Sequence, residues 1–177
     1  MTPDQLQHAT NCSTSFAARW AAPLSAAMAL HAIDSPLRQA HFLAQVGHES
    51  GGFVYTQEIW GPTAAQLGYE GRADLGNTQT GDGLRFKGRG FIQITGRANY
   101  VEAATGLGID CVNQPVLLAS GDYPALSAAW WWVTNGLNAL ADADDVIAVT
   151  RRINGGTNGL ADRQARLALA KKALLVV

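Results

Sequence analysis

Residues 36–49, PLRQAHFLAQVGHE, restrict what this chain can become more than any other stretch. Asp34 or Ser35 supplies a helix cap, Pro36 suits the first turn, and Gly51-Gly52 ends the run. Leu37, Ala40, Phe42, Leu43, Ala44, Val46 and Gly47 then place apolar or small groups around most of the helix. Such a helix is stable only when other elements pack around nearly all of it. His41, Gln45, His48 and Glu49 fall at helical spacing along one side. The expectation is a central helix whose polar stripe lines a cleft.

The rest of the chain reads as more helices of the same kind. Thr2 caps a helix over 3–10, with Pro3 and Asp4 in its first turn. Further helices are predicted over 16–33, 97–105, 124–133, 144–153 and 161–175, with a short helix or turn at 114–120. Pro23 marks a break or fresh start in the second of these, and Gly106 closes the helix that starts at 97. Trp130, Trp131 and Trp132 are consecutive, so they point three ways, and at least one is expected at a cleft or in solvent. Residues 61–90 are rich in Gly and polar groups without a clean period, which predicts an ordered loop with short helical pieces. Phe91 to Thr95 reads as a short extended segment. No internal repeat is visible. An apolar content of 47% supports one core, so residues 1–177 are expected to form a single, mainly α domain without a separate wall-binding domain.

Several function classes are set aside by what the chain lacks. A net charge of −1 with no long run of either sign argues against nucleic-acid binding. His48-Glu49 begins like a zinc-protease HExxH motif, but position 52 is Gly52, so no metal is expected. GDGLRFKGRG has neither a Walker pattern nor G-x-G-x-x-G, and no cofactor is implied. Cys12 and Cys111 are expected to be free and buried. AAPLSAAMALHAI is too short and interrupted to span a bilayer, and MTPDQLQHATNCSTS lacks the basic and apolar regions of a signal peptide. Synthesis in the cytoplasm without membrane insertion is the expectation.

Glu49 and Glu58 are the pair that carries chemistry. Two carboxyl groups flanking a bond are the usual means of cutting glycosidic linkages. Glu49 ends an apolar helix, a setting that favours a protonated acid; Glu58 borders a polar, Gly-rich segment, a setting that favours an ionised base. Gln93, Thr95 and Asn99 lie together downstream and offer amide and hydroxyl groups to a water. By spacing alone the pair also reads as two ordinary surface glutamates.

HFLAQVGHESGGF, the later Glu58, GDGLRFKGRGFIQITGRANY and RRINGGTNGLADR, in that order, resemble glycoside hydrolase family 19, which holds plant-type chitinases and bacteriophage endolysins. The resemblance spans about residues 2–175 and is closer to the endolysin type. It implies a lysozyme-like helical fold of two lobes with a cleft between them. It implies that Glu49 is the general acid, that Glu58 is the general base acting with inversion, and that Thr95 holds the water. Gln93, Asn99 and Asn154 would line the sugar cleft, Arg163 would tune the acid beside His48, and Trp60 is a candidate for sugar stacking or for core packing. Plant-type members carry a Glu four residues after the INGG Asn, where this chain has Asn158. The implied substrate is the glycan strand of peptidoglycan, cut by a monomeric muramidase that reaches the wall after a holin or equivalent permeabilises the membrane. The alternatives are a chitinase and a non-catalytic wall-binding relative.

Overall fold

The computed structural model describes residues 1–176, which form ten α-helices joined by loops and short 3₁₀ turns. In chain order they are α1 (Pro3–Thr10), α2 (Thr14–Leu30), α3 (Pro36–Glu49), α4 (Ala64–Leu67), α5 (Asp82–Arg85), α6 (Arg97–Leu107), α7 (Tyr123–Thr134), α8 (Leu137–Asp142), α9 (Val146–Asn154) and α10 (Leu160–Ala173). Extended pairing among the described residues reduces to two isolated antiparallel bridges, Gln57 with Arg89 and Arg89 with Ile94.

The helix starts follow local chemistry. Thr2 and Gln5 form a reciprocal capping box on α1, Ser13 caps α2, and Ser35 rather than Asp34 caps α3. α3 is central as expected: it packs most extensively on α10 and also touches α1, α7 and α8. Residues 40–47 of α3 are all buried, including His41 and Gln45.

Two hydrophobic clusters organise the chain. The larger draws on α1, α2, α3, α7, α8, α9 and α10, with Phe42 edge-on to Trp132 at 5.5 Å. The smaller gathers Phe86, Ile94, Tyr100, Ala103, Cys111 and Leu118. α7 joins the two: Trp132 and Trp131 pack on the larger cluster and Trp130 on the smaller. Three adjacent indoles therefore serve two cores, and none of them is an exposed residue. Phe53 and Phe91 are fully buried in the larger cluster, 5.3 Å apart, and pin down the loops on either side of Glu58. Burying each ring is worth roughly 2 kcal/mol.

The structure departs from the sequence expectations in five places. α2 runs through Pro23 without a break. A mid-helix Pro costs about 3 kcal/mol, but Trp20, Ala21, Leu24, Ala27 and Met28 are buried on both sides of it and offset that cost. Residues 91–95 form a turn bridged to Arg89 rather than a strand. Leu137–Asp142 is a helix that too short a period concealed. The helix expected over 144–153 starts two residues later, at Val146, with Asp145 as its cap. Gly106 does not close α6 but lies inside it; Gly108, with φ +65°, is the left-handed cap.

Gly106 sits inside α6 because of what faces it. A Cβ there would overlap the indole ring of Trp130, closer than real Cβ atoms approach anything. Cys12 and Cys111 are free and buried, and burial pushes the Cys111 thiol up to about 11. Asp82, almost wholly buried, accepts from Arg97 Nε at 2.8 Å and from the backbone of Gln79 at 3.0 Å. The Arg97 guanidinium holds its carboxyl below the ordinary carboxylate range.

Gly106→Ala should lower the thermal midpoint although Ala gains about 1 kcal/mol of helix propensity, because displacing a packed indole costs about 1–3 kcal/mol. A raised midpoint would show that Trp130 yields freely. For Asp82→Asn the sign follows from the depressed folded pKa. Stability from this group is fully present above the unfolded carboxylate value, about 3.9, and is lost as pH falls towards the folded one. The variant should therefore be less stable than wild type at pH 7, with the difference shrinking below about pH 4. Urea titrations at both pH values measure it.

Candidate active site

Glu49 is the last residue of α3, and the backbone turns sharply after it. Ser50 caps the helix, its hydroxyl accepts from the Phe53 N–H at 2.8 Å, and Phe53 takes a left-handed φ of +70°. The chain then runs past Tyr55 and Gln57 to Glu58. Glu49, Tyr55, Gln57, Glu58, Ile59 and Gln93 line one open groove of ≈ 280 Å³. Two carboxylates nine positions apart thus face the same space, one from the central helix and one from the loop beside the smaller cluster.

Their surroundings differ in kind. Arg163 of α10 is fully buried, and its guanidinium donates to Glu49 Oε1 and to Gln45 Oε1. Its Nε points at the backbone carbonyl of Asn158, 3.4 Å away. The expected apolar setting of Glu49 is therefore corrected: the helix is apolar, but its last carboxylate is in an ion pair. The neutral Asn158 contributes only its backbone carbonyl to Arg163, and Gln45 supplies the amide acceptor. Gln45 in turn reaches Thr150 of α9 at 3.5 Å.

Glu58 has no cationic partner. Oε1 accepts from Gln66 Nε2 at 3.0 Å and Tyr69 Oη at 3.3 Å, while Oε2 accepts from the Gly88 N–H at 3.2 Å. Its own N–H donates to the Gly88 carbonyl at 2.8 Å. This setting is half-buried, neutral and polar. The proximity of Glu58 and burial together raise the Tyr69 phenol above its ordinary value, burial being the larger cause. Gly88 is required by close approach: a Cβ there would come within 2.6 Å of Gln93 Oε1 and 3.2 Å of Thr95 Oγ1. Gln93 and Thr95 therefore stand directly over the residue that holds Glu58. The Thr95 hydroxyl donates to the Gln93 carbonyl at 2.9 Å, and Gln93 adopts φ +56°. Side chains in that region cost about 1–3 kcal/mol and persist where their surroundings over-determine them.

Other sequence candidates lie elsewhere. His41, fully buried, bonds Asp144 through Nε2 at 2.7 Å, and Asp144 also holds Lys171. His48 bonds Asp162 of α10 at 2.6 Å and lies against Gly159. The stripe expected to line a cleft therefore mostly faces α9, α10 and the loops beside them; only Glu49 reaches the groove. Polar groups on a buried face can be satisfied by neighbouring helices, and periodicity does not distinguish that from solvent. Asn99 is exposed and donates to the Thr95 carbonyl at 2.7 Å. Asn154 ends α9 on the surface. Trp60 is half-buried, 6.3 Å from the Tyr69 ring, and lies outside the groove lining. The residues that sequence reasoning missed are Gln66, Tyr69 and Gly88, which hold Glu58, and Tyr55, Gln57 and Ile59, which line the groove. Thr63 with Gln66 has capping-box spacing, the one local signal that could have marked that turn. Among the described residues there is no group of three His, Cys, Asp or Glu side chains that could hold a metal ion.

Residues 32–165 match the family described as chitinase class I. A Haemophilus influenzae protein named as glycosyl hydrolase family 19 domain-containing is 36% identical over 155 aligned positions, covering 72% of this chain and 75% of that protein. An Arabidopsis thaliana endochitinase is 37% identical over 118 positions, covering 66% of this chain but 39% of its own length. The chain thus spans about two fifths of that plant relative. Among solved structures, chitinase C from Streptomyces griseus superposes with a TM-score of 0.72 at 23% identity, covering 98% of this chain and 76% of that one. A class IV chitinase from Zea mays superposes with a TM-score of 0.64 at 26% identity, covering 88% and 79%.

Arg163→Met should reduce stability by on the order of 3 kcal/mol, because removing one member of a largely buried pair strands the other. Arg163→Lys, which keeps the charge and loses the fork, should fall between variant and wild type. Urea unfolding with unchanged midpoints would show that the pair contributes no stability.

Proposed function

Because the chain belongs to glycoside hydrolase family 19, we propose that it hydrolyses β-1,4 bonds in a polymer of N-acetylated amino sugars by direct displacement with inversion. One observation carries this reading: Glu49 and Glu58 line a single groove in contrasting surroundings. Glu49 gives its proton to the leaving glycosidic oxygen as the bond to the anomeric carbon breaks. Glu58 takes a proton from the water that attacks the opposite face of the same carbon. In the protonated enzyme, Arg163 bonds the carbonyl oxygen of Glu49 and leaves its hydroxyl for the sugar. After transfer the same guanidinium stabilises the new carboxylate, so this interaction strengthens along the reaction. Gln66, Tyr69 and Gly88 hold the Glu58 oxygens in place, and the lone pairs of the Thr95 hydroxyl are available to the water.

A chitin-type substrate is supported by the relatives, several of which are named endochitinases. The peptidoglycan strand expected from sequence is a second reading favoured by a different feature. Tyr55 and Ile59 in the groove lining are 47% and 72% exposed, so the groove is open to solvent at these positions, as branched sugars require. On that reading the protein acts as a lytic muramidase that reaches the wall once a holin or equivalent has opened the membrane.

Chitin oligosaccharides and purified sacculi, assayed side by side, separate the readings. Release of α-anomers from the oligosaccharides supports the chitinase; muropeptides with reducing N-acetylmuramic acid ends support the muramidase. Glu49→Gln and Glu58→Gln should each lower kcat by about 10²–10⁴-fold with an unchanged circular dichroism spectrum. Wild-type turnover in either variant would remove that residue from the mechanism. Tight binding of wild type to either polymer without cleavage would make the chain a binding module.

A further inference from the structure

Behind the segment that carries Gly88 lies a second cavity, ≈ 470 Å³, whose lining includes Arg85, Lys87, Arg89, Asn113 and Gln114. It stands back to back with the groove. The Cα of Gly88 faces Gln93 and Thr95, whereas Lys87 and Arg89, on either side of it, line the cavity, as alternation along an extended backbone requires.

Its electrostatics are one-sided. No carboxylate lines the cavity, and none of Arg85, Lys87 and Arg89 has an acidic partner within ion-pair distance among the described residues. Most other cations of the chain do have one, as Arg19, Arg38, Arg72, Arg97, Arg163, Arg166 and Lys171 show. Asp110, which accepts from Asn113 Nδ2 at 3.0 Å, is not part of the lining. Arg89 is the decisive residue. It is only 9% exposed, and its Nη1 donates to the Arg85 carbonyl at 2.9 Å and to Tyr100 Oη at 2.8 Å. Its buried Nε has no hydrogen-bond partner. A buried guanidinium held by two neutral acceptors, with two further cations beside it and no carboxylate in the lining, carries a positive charge that no described residue compensates.

We propose that this cavity binds an oxyanion, a carboxylate or phosphate, seated on the guanidinium of Arg89 and flanked by Lys87 and Arg85, with the amide of Gln114 at the rim. Guanidinium groups match such anions in charge and in planar donor geometry. The anion has two possible sources: a free small anion, or an acidic group carried by a polysaccharide strand that extends beyond the groove.

The test is a titration of the whole protein with inorganic phosphate at constant ionic strength, followed by the side-chain Nε–H resonances of arginine. The site predicts saturable shifts of the Arg89 signal and an affinity at least tenfold weaker in the double variant R85Q/K87Q. Both substitutions lie at the cavity's more accessible side and should leave the circular dichroism spectrum unchanged, which Arg89→Gln cannot guarantee. Competition by an oligosaccharide bearing carboxylates, but not by neutral chitin oligosaccharides, assigns the anion to a polymer. Phosphate binding without that competition assigns it to a free anion. Linear, unsaturable shifts, or equal affinity in wild type and R85Q/K87Q, would overturn the proposal. Because the readout is binding and not hydrolysis, its failure leaves the glycosidase reading untouched.

Discussion

A buried guanidinium holds this molecule's chemistry to its architecture. Arg163 enters from α10, disappears entirely from solvent, and joins Gln45 and Glu49, one turn apart on the facing helix. Taking a cation out of water is costly unless every donor is matched. Here the carboxylate, the side-chain amide and the carbonyl of Asn158 share that task. The same contact fixes how α3 and α10 sit against one another and which way Glu49 can turn. Helix packing and the placement of a groove carboxylate thus rest on one set of atoms, and a change at Arg163 touches both.

The groove's other carboxylate is held by a different principle. Glu58 has no cationic partner among the described residues and is held by an amide, a phenol and a backbone N–H from two separate segments, α4 with the turn after it and the loop at Gly88. Those segments have little regular structure of their own. They are held by aromatic anchors: Phe53 and Phe91 in the large cluster, Phe86 edge-on to Tyr100 in the small one. A loop fixed by buried rings can carry strained residues such as Phe53 and Gln93 at positive φ without loosening. The two groove carboxylates thus differ in kind: one is ion-paired and the other is held only by neutral donors.

Much of this was readable from the chain, and the failures have physical causes. The central helix, its cap at Ser35 and its end before Gly51 follow from local chemistry. Glu49 stood out as a carboxylate at the end of an apolar helix, and Glu58 as a second one nine positions on beside a polar, Gly-rich segment. The polar stripe was read towards a cleft, yet His41 and Gln45 turned out to be satisfied by helices more than a hundred positions away. Pro23 was read as a break because propensity counts only the lost hydrogen bond and not the packing on both flanks. Gly106 was read as a stop because sequence does not show an indole arriving from another helix. Gln66 and Tyr69 went unremarked as ligands of Glu58 since nothing local ties them to it.

The sequence by itself indicated most of the longer helices and a predominantly helical core, and it singled out Glu49, Glu58, Gln93 and Thr95 as candidates for glycosidic chemistry. Periodicity, caps and turn residues act over a few positions, so they are legible in one dimension. Only the tertiary structure decided that Glu49 meets Arg163 across 114 positions, that Glu58 is gripped by Gln66, Tyr69 and Gly88, and that three unpaired cations converge behind it. Those facts depend on which helix faces turn towards each other. That choice is made by the burial of two whole clusters at once, not by any residue's neighbours in the chain.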